Sequence, residues 1–417
     1  MSFFRINIYL KIKNYIISFF LSKKNISIAI QNILKKNTKK KYFILTSQLR
    51  VGFMLLLKFL KKRHPSKNEI IFYPYNLAEM VNVAKNLNYK IKFSEIDKKN
   101  GFFLIKELNK KINKKTLGIV LTNMFNSSKD SFILKKLCKK KKILLIEDNA
   151  IYFDNYSIKN NKKFYAGSIG DYSLNSFNIM KNISALYGGG VATNDYKFLE
   201  FSNQEFRKFN KFPKKLLFNQ SMIYFILKSL SVKIFYELFF LKIVRYAHLN
   251  NNLILLKLLY PSLKFKKEKF PSFYFSRISN LSKKMVYLQL IDRVSRNNNH
   301  EIRKRKNILY SKLFKKEKIK QIFIFPIKDY NFQNFNDFPI IVKNKDKLNK
   351  FLLKDGIETK MIHYKNCAKI FKNGTNKSKN AERFEKNIIC LPNHHKITEE
   401  YMTYIVKKIA KFYTYKN

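Results

Sequence analysis

The chain has 417 residues, which is long enough for a large domain, a smaller one and an ample core. Its 85 Lys and Arg against 27 Asp and Glu give a formal net charge of +58 at pH 7, typical of proteins that bind nucleic acid or an anionic membrane. The lysines are dispersed in ones and twos without a nucleic-acid-binding motif, and the Lys-rich, Trp-free composition fits an AT-rich coding sequence. We therefore expect no specific nucleic-acid partner.

The beginning of the chain, MSFFRINIYLKIKNYIISFFLSKK, is apolar and aromatic but is interrupted by Arg5, Lys11 and Lys13. It contains no small-residue cleavage site, so we interpret residues 1–40 as an N-terminal helical segment and not as a signal peptide.

Strand-like and helix-like patterns then alternate along the chain. The strand-like runs are 41–47, 70–73, 91–93, 117–122 and 143–146, and the helix-like runs are 51–60 and 78–86. This alternation predicts an α/β domain over residues 41–200, with a mostly parallel sheet covered by helices on both faces. Ligands of such sheets bind beyond the carboxyl ends of the strands.

A carboxylate and a lysine occupy positions that suit one particular cofactor. Asp148 follows the apolar run 143–146, and Lys181 lies between a strand-like run and the glycine cluster 188–190, in a chain with only 10 Gly. Pyridoxal phosphate (PLP) needs a carboxylate that keeps its ring nitrogen protonated and a lysine that binds its aldehyde. Taken singly, the two residues could be a solvated strand-end acid and a surface lysine. Together with the flanking pattern they predict a PLP site.

Four segments resemble a known family: IEDNA (146–150), GSIGDYSLNSF (167–177), KNI (181–183) and GGGVATND (188–195). They are similar to the sugar aminotransferases of the DegT/DnrJ/EryC1/StrS family, which have the fold-type I architecture of PLP enzymes. Further similarity lies in GIET (356–359), HY (363–364), AER (381–383), LP (391–392) and YFSR (274–277). The resemblance implies an α/β fold with a large PLP-binding domain, 41–200, and a small C-terminal α/β domain, 273–417.

The resemblance also implies where the cofactor phosphate binds. The family has a Ser-Gly-Thr turn at the start of a helix, where backbone amides hold the phosphate. Here the turn reads Thr-Ser-Gln-Leu-Arg (46–50), without the Gly and Thr. Ser47, Gln48 and Arg50 are the implied phosphate ligands, with Ser176 as a second contributor. Arg50 would compensate for the missing groups, although it could instead be a solvated residue of the first helical turn.

The residues implied to surround the cofactor ring are Asp148, Ala150 and Tyr75. Tyr75 is the candidate for the aromatic residue that stacks on the ring in the family. Ile151 stands where the family commonly has Gln or His, so a polar group near the ring oxygen is absent.

The similarity is interrupted over residues 201–272, which we interpret as an apolar helical insertion. Its central part, 212–265, has no counterpart in compact family members and is dense in aromatic and aliphatic residues. Charged residues such as Lys228 and Glu237 interrupt every window of ~18 apolar residues, so a membrane-spanning helix is not expected. Three interpretations remain open: helices that lie on a membrane surface, helices that pack against a partner subunit, and an ordinary buried insertion.

The implied reaction is transamination, in which Lys181 and Asp148 are the catalytic residues. Glutamate is the implied amino donor, and the acceptor is a keto-sugar, most plausibly a nucleotide-linked 4-keto-6-deoxy sugar of polysaccharide or cell-surface glycan biosynthesis. A sugar dehydratase on the same fold would have a histidine in place of the lysine, so Lys181 argues against it. The alternative is a catalytically divergent relative that associates with a membrane or a partner.

The resemblance also predicts a homodimer with its active sites across the interface, in which segments 207–210 and 274–277 take part. The 3 Cys residues are far apart, with neither a disulfide framework nor a zinc spacing, so no metal site is predicted. This pattern suits a reducing cytoplasm, with the protein free or peripheral at the inner face of the membrane.

Overall fold

The structure is a computed structural model of the chain. It describes residues 2–124, 128–151, 153, 155–159, 161–260, 265, 269–295, 299–324, 337–361, 364–371 and 378–414. His363 of the HY segment and residues 261–264 of the insertion lie outside this part of the chain.

The strands are β1 (Tyr42–Thr46), β2 (Glu69–Phe72), β3 (Tyr75–Asn76), β4 (Lys90–Phe93), β5 (Thr116–Thr122), β6 (Leu144–Asp148), β7 (Tyr156–Lys159), β8 (Lys162–Tyr165), β9 (Tyr172–Ser176), β10 (Gly189–Thr193), β11 (Ile322–Ile324), β12 (Phe338–Val342), β13 (Lys365–Asn366) and β14 (Ile388–Leu391). The helices are α1 (Ile12–Phe20), α2 (Ile26–Thr38), α3 (Leu49–Arg63), α4 (Ala78–Asn86), α5 (Ile105–Lys111), α6 (Ser128–Lys140), α7 (Tyr196–Arg207), α8 (Lys214–Ser229), α9 (Lys233–Phe235), α10 (Leu241–Leu249), α11 (Leu253–Leu259), α12 (Asn280–Ser295), α13 (Asn299–Glu317), α14 (Lys345–Lys354), α15 (Cys367–Ile370), α16 (Lys379–Asn387) and α17 (Glu399–Thr414). Tyr236–Phe240 form a π-helical turn and Ser272–Phe275 a 3₁₀ turn.

The large sheet has the strand order β1-β10-β9-β6-β5-β2-β4 among the described residues. Strands β4, β2, β5, β6 and β9 pair in parallel, whereas β10 pairs antiparallel with both β9 and β1. Every residue of β2, β5 and β9 is buried, on both faces of the sheet. This is the pattern of a sheet covered by helices on both sides, so the predicted α/β fold is confirmed.

A second, smaller sheet in the C-terminal part has the order β11-β12-β14 and is antiparallel. Helices α13 and α17 contribute Tyr310, Phe314 and Ile405 to the core behind it. Strand β13 reaches back and pairs with β3, which ties the C-terminal part to the carboxyl edge of the large sheet.

Residues 2–10 differ from the sequence-based expectation of a helix, because the first helix begins only at Ile12. Their backbone carbonyls are instead bonded by distant side chains. His394 Nε2 lies 3.0 Å from the Phe4 oxygen, Lys228 donates to Ile8 (2.7 Å) and Tyr224 to Leu10 (3.2 Å). These partners satisfy the backbone in an extended conformation, so we call residues 2–10 the N-terminal strap.

The insertion forms helices α8 to α11, which bury one face and expose the other. Tyr224, Tyr236 and Val244 are buried, whereas Phe218, Phe239 and Ile254 expose 66%, 62% and 75% of their surface. The insertion is therefore not buried all round within one chain. Within the part of the chain that the structure describes, none of the helices combines the length and apolarity needed to cross a bilayer.

Candidate active site

The polar residues predicted for the site meet at one edge of the large sheet. Asp148 and Ser176 end the parallel strands β6 and β9, and Ser47 follows β1. Strand β10 runs in the opposite direction, so its first residue, Gly189, lies at the same edge opposite Ser176 and Thr46. The prediction that ligands bind beyond the carboxyl ends of the strands thus agrees with where the topology brings these residues together.

Asp148 is the last residue of β6 and is buried. The Ala150 backbone N–H donates a hydrogen bond to Asp148 Oδ1 (3.0 Å), which fixes the orientation of the carboxylate. Burial raises the pKa of Asp148 to about 6, while the Ala150 hydrogen bond and the positive charge of Lys181 act in the opposite direction.

Lys181 lies in the loop between β9 and β10. The loop is closed by hydrogen bonds from the Phe177 N–H to the Gly188 oxygen (2.9 Å) and from the Ala185 N–H to the Phe177 oxygen (2.7 Å). Burial, followed by the positive charge of Lys360, lowers the pKa of Lys181 to about 8, while Asp148 and Asp337 oppose the shift. Lys181 therefore has a substantial neutral fraction near neutral pH.

A cavity of about 200 Å³ has Lys181 in its wall, and we call it the Lys181 cavity. Its other walls come from the strap, from the residue after Ala150 and from the C-terminal part; they include Arg5, Asn7, Tyr9, Ile151, Asp337, Lys360, Tyr364 and Asn393. Lys360 and Asp337 form an ion pair of 3.0 Å, so the cavity contains fixed charges of both signs.

The N-terminus of α3 forms a second corner of the site. A methyl group on Gly189 would lie 2.3 Å from the Leu49 nitrogen, so only glycine allows the helix to begin this close to β10. Ser47 is fully buried, and its hydroxyl has no hydrogen-bond partner among the described residues. The Arg50 guanidinium donates to Gln48 Oε1 (3.2 Å) and lies 5.8 Å from the centre of the Tyr274 ring.

This corner has the properties of an anion site. The free N–H groups and the dipole of a helix N-terminus attract negative charge, and an arginine and an orphaned hydroxyl are added to them here. Arg50 also contributes to the lowered pKa of Lys181, after burial and Lys360, so the corner and the lysine are close enough to interact electrostatically. The described residues therefore fit a phosphate at α3 together with a ring nitrogen near Asp148.

Tyr75, the candidate for the stacking residue, packs against Tyr364 at the Lys181 cavity. It is 1% exposed, and its ring meets Tyr364 edge-on, with 6.0 Å between the ring centres. The Tyr364 N–H donates to the Tyr75 hydroxyl (3.3 Å). Tyr364 lines the Lys181 cavity, whereas Tyr75 is not among the lining residues, so Tyr75 supports the wall from behind.

Sequence reasoning missed several groups of the site, namely Arg5, Asn7, Tyr9, Asp337 and Lys360. Tyr364 was identified only as part of a segment similar to the family. Lys360 follows GIET in the sequence, which is a weak signal, but nothing local distinguishes the strap residues. Arg5 Nε forms an ion pair with Glu358 Oε1 (2.8 Å), although the two residues are far apart in the sequence.

A family model described as "DegT/DnrJ/EryC1/StrS aminotransferase family" matches residues 28–212 and 264–410. The chain belongs to this family. Residues 1–27 and 213–263, which include the strap and most of the insertion, lie outside the matched ranges. The family membership predicted from the sequence is thereby confirmed.

One relative of this DegT/DnrJ/EryC1/StrS chain is the UDP-4-amino-4,6-dideoxy-N-acetyl-beta-L-altrosamine transaminase of Helicobacter pylori. The two sequences are 31% identical over 134 residues, which are 32% of this chain. The match spans about a third (34%) of the length of that relative. Among solved structures, the Helicobacter pylori aminotransferase PseC, involved in the biosynthesis of pseudoaminic acid, is 19% identical over 100% of both chains, with a TM-score of 0.71.

A second solved structure is GDP-4-keto-6-deoxymannose-3-dehydratase with a trapped PLP-glutamate geminal diamine. It is 16% identical and covers 98% of this chain and 100% of its own, with a TM-score of 0.70. At these identities the two structures establish the fold alone, and they confirm the fold-type I architecture of this DegT/DnrJ/EryC1/StrS chain.

Proposed function

We propose that the protein is a PLP-dependent aminotransferase that moves an amino group from glutamate to a nucleotide-linked keto-sugar, in polysaccharide or cell-surface glycan biosynthesis. The observation that carries this proposal is the pairing of Lys181 with Asp148 at one sheet edge, beside an anion site at the start of α3. When bound, PLP supplies an electron sink for the reaction at the α-carbon of the amino acid.

The residues of this chain have distinct tasks in that reaction. The neutral amine of Lys181, favoured by burial, binds the cofactor aldehyde and then takes and returns a proton at its Nζ atom. Asp148, oriented by the Ala150 N–H, holds positive charge on the ring nitrogen. Ser47, Gln48, Arg50 and Ser176 hold the phosphate. Ile151 and Tyr364 contribute apolar surface to the wall of the cavity.

The substrate class rests on the relatives. The Helicobacter pylori transaminase carries UDP in its name and the dehydratase carries GDP together with a 4-keto-6-deoxy sugar. These names support a nucleotide-linked 4-keto-6-deoxy sugar as the acceptor here. The two names carry different nucleotides, UDP and GDP, so they leave the nucleotide open. The dehydratase structure contains glutamate trapped on PLP, which supports glutamate as the donor here.

The experiment combines a direct and a functional readout. The purified protein is loaded with PLP, reduced with borohydride and digested, and the modified lysine is identified by mass spectrometry. We expect modification at Lys181. The loaded protein is then incubated with glutamate and a nucleotide-linked 4-keto-6-deoxy sugar. An amino-sugar product supports transamination, a deoxygenated sugar would support the dehydratase alternative, and neither product with an unmodified Lys181 would support a catalytically divergent relative.

We also propose that the enzyme is a homodimer. The segments 207–210 and 274–277 are joined, because the Asn210 N–H donates to the Phe275 oxygen (2.9 Å) and the Arg277 N–H to the Asn210 oxygen (2.9 Å). Tyr274 in turn lies against Arg50, which places this joined pair at the phosphate corner. Sedimentation velocity is expected to show a dimer; a fully active monomer would contradict the proposal.

A peripheral membrane role is proposed for the insertion. Its exposed face carries large apolar residues such as Phe218, Phe239 and Ile254, and the first helix adds Phe20, which exposes 81% of its surface. The exposed lysines of the insertion include Lys214, Lys215, Lys233, Lys242 and Lys257. Apolar side chains that enter the interface, surrounded by lysines worth about 1 kcal/mol each near anionic lipid, are typical of helices that lie on a membrane.

Co-sedimentation with vesicles tests this role. We expect binding to phosphatidylcholine vesicles that contain phosphatidylserine, weak binding to phosphatidylcholine alone, and loss of binding in a triple variant Phe218→Ser, Phe239→Ser, Ile254→Ser. Ile133→Ser, at an exposed apolar residue of α6, is the control. Failure of the intact protein to bind at moderate salt, or binding that persists after deletion of 212–265, would contradict the proposal. A triple variant that no longer dimerises would place this face in a subunit interface instead.

A further inference from the structure

A second cavity adjoins the Lys181 cavity. It has a volume of about 350 Å³, and we call it the Lys228 cavity. Asn7 and Tyr9 of the strap line both cavities, and the adjacent residues Lys181 and Asn182 line one each. Asn7 and Tyr9 thus form a wall that the two cavities share.

The wall of the Lys228 cavity combines apolar residues with a cluster of basic side chains and one carboxylate, Asp292. Lys11, Lys228, Lys396 and His395 all line it. Lys228 donates to the Ile8 oxygen (2.7 Å), and among the described residues of this wall only Lys11 forms an ion pair, with Asp292 (2.9 Å). Burial, followed by the positive charges of Lys396 and Lys11, lowers the pKa of Lys228 to about 8.

Two amide groups of the same wall have unused donors. The Nδ2 atoms of Asn7 and Asn14 are buried and have no hydrogen-bond partner within the described part of the chain, and Asn7 as a whole is 9% exposed. A buried donor without an acceptor costs free energy, so these amides point to an acceptor that binds here. Crowded ammonium groups and unused N–H donors together are complementary to an anion with several oxygens.

Several of these residues lie outside the ranges that the family model matches. Asn7, Lys11 and Asn14 precede the ranges that the family model matches, and Lys228 lies between them. The cavity thus depends on the strap, α1 and the insertion. The insertion has a role in the site as well as an exposed apolar face.

We propose that the Lys228 cavity binds the diphosphate of a nucleotide-linked sugar whose keto group lies in the Lys181 cavity. This inference rests on the proposed function, because it assigns the part of the substrate that the reaction leaves unchanged. Asn7, at the junction of the two cavities, donates to the phosphate nearest the sugar. Lys228 and Lys396 neutralise the diphosphate charge, and Asn14 supplies a further donor.

Titration calorimetry of the PLP-loaded protein with inorganic pyrophosphate, UDP and GDP tests the site. We expect pyrophosphate and at least one nucleoside diphosphate to bind and to compete with each other. Lys228→Ala is expected to weaken binding about tenfold or more, because a charge-assisted contact is lost. Asn14→Ala removes a donor that is unused in the free protein, so it is expected to weaken binding without lowering the melting temperature. Lys215→Ala, an exposed lysine of the same helix, is the matched control.

Kinetic measurements distinguish a failure of this binding site from a failure of the proposed reaction. In Lys228→Ala the KM for the nucleotide sugar is expected to rise about tenfold with little change in kcat. Absence of pyrophosphate binding, or equal affinities of Lys228→Ala and Lys215→Ala, would overturn the site. Binding of pyrophosphate but of neither UDP nor GDP would overturn the assignment to the substrate. Lys228-dependent binding of UDP or GDP by a protein without transaminase activity would support the site and contradict the proposed function.

Discussion

The charges of Asp148 and Lys181 each counteract the pKa shift that burial causes in the other residue. Burial raises the pKa of the carboxyl group and lowers that of the amine, while the charge of each residue moves the pKa of its partner back toward the ordinary value. The pair therefore holds one carboxylate and one partly neutral amine at the same sheet edge.

Lys181→Ala is expected to lower transaminase turnover by at least about 10³-fold, because the amine that binds the cofactor and moves the proton is gone. The apo-protein should melt at the same temperature or slightly higher, since a buried amine is removed. Turnover assays and thermal melts measure the two effects. Lys197→Ala, an exposed lysine in α7, is the control. Full turnover in Lys181→Ala would show that another lysine carries the chemistry.

Asp148→Asn is expected to lower turnover by about 10²- to 10³-fold while part of the PLP affinity remains. The amide has nearly the shape of the carboxylate but cannot hold positive charge on the ring nitrogen. Comparison of kcat with the dissociation constant for PLP separates the two effects. Wild-type turnover in this variant would mean that a different acid faces the ring.

The rate of PLP capture by the apo-enzyme should depend on pH in a defined way. Capture requires the neutral amine of Lys181, whose pKa is about 8 because of burial and Lys360. Below this value the rate is expected to rise about tenfold per pH unit, and above it to level off. In Lys360→Met the lost positive charge should move the midpoint to higher pH. A midpoint near the ordinary lysine value in the wild type would contradict the assigned environment.

Ser47→Ala is expected to have opposite effects on stability and on cofactor binding. The hydroxyl is buried without a partner among the described residues, so its removal should leave the apo-protein as stable or about 1 kcal/mol more stable. Loss of a phosphate ligand should weaken PLP binding about tenfold. Urea unfolding of the apo-protein and PLP titration provide the measurements. A destabilised apo-protein with unchanged PLP affinity would assign Ser47 to the core and not to the phosphate.

Arg5→Met is expected to destabilise the protein by about 3–5 kcal/mol, because Glu358 would remain buried without its ion-pair partner. The two side chains are 8% and 2% exposed and 2.8 Å apart. The double variant Arg5→Met, Glu358→Gln should recover much of the loss in urea unfolding. Breaking the exposed Lys110–Glu107 pair with Lys110→Met should leave the free energy of unfolding nearly unchanged, because water screens this pair. A small effect of Arg5→Met would show that the strap is not anchored through this pair.

The sequence by itself predicted strands β1, β2, β4, β5 and β6 of the large sheet, and it singled out Asp148 and Lys181, whose roles stay predictions. The predicted runs 70–73, 91–93 and 117–122 agree with β2, β4 and β5 within one residue at each end, and the helix 78–86 agrees with α4 at both ends. These elements are readable because apolar periodicity and strand-bounding residues are local signals. Asp148 and Lys181 were identifiable for the same reason, because Asp148 ends strand β6 and Lys181 follows strand β9 in the sequence.

Only the tertiary structure decided what encloses that site. Residues 2–10 were predicted to be helical but are extended, because side chains from α8 and from the C-terminal part bond their carbonyls. Arg5 meets Glu358 across a separation of 353 residues, and Asn7 joins two cavities whose other walls come from distant segments. Such contacts leave no periodic trace in the sequence, because they depend on how separate elements pack and not on the pattern within any one of them.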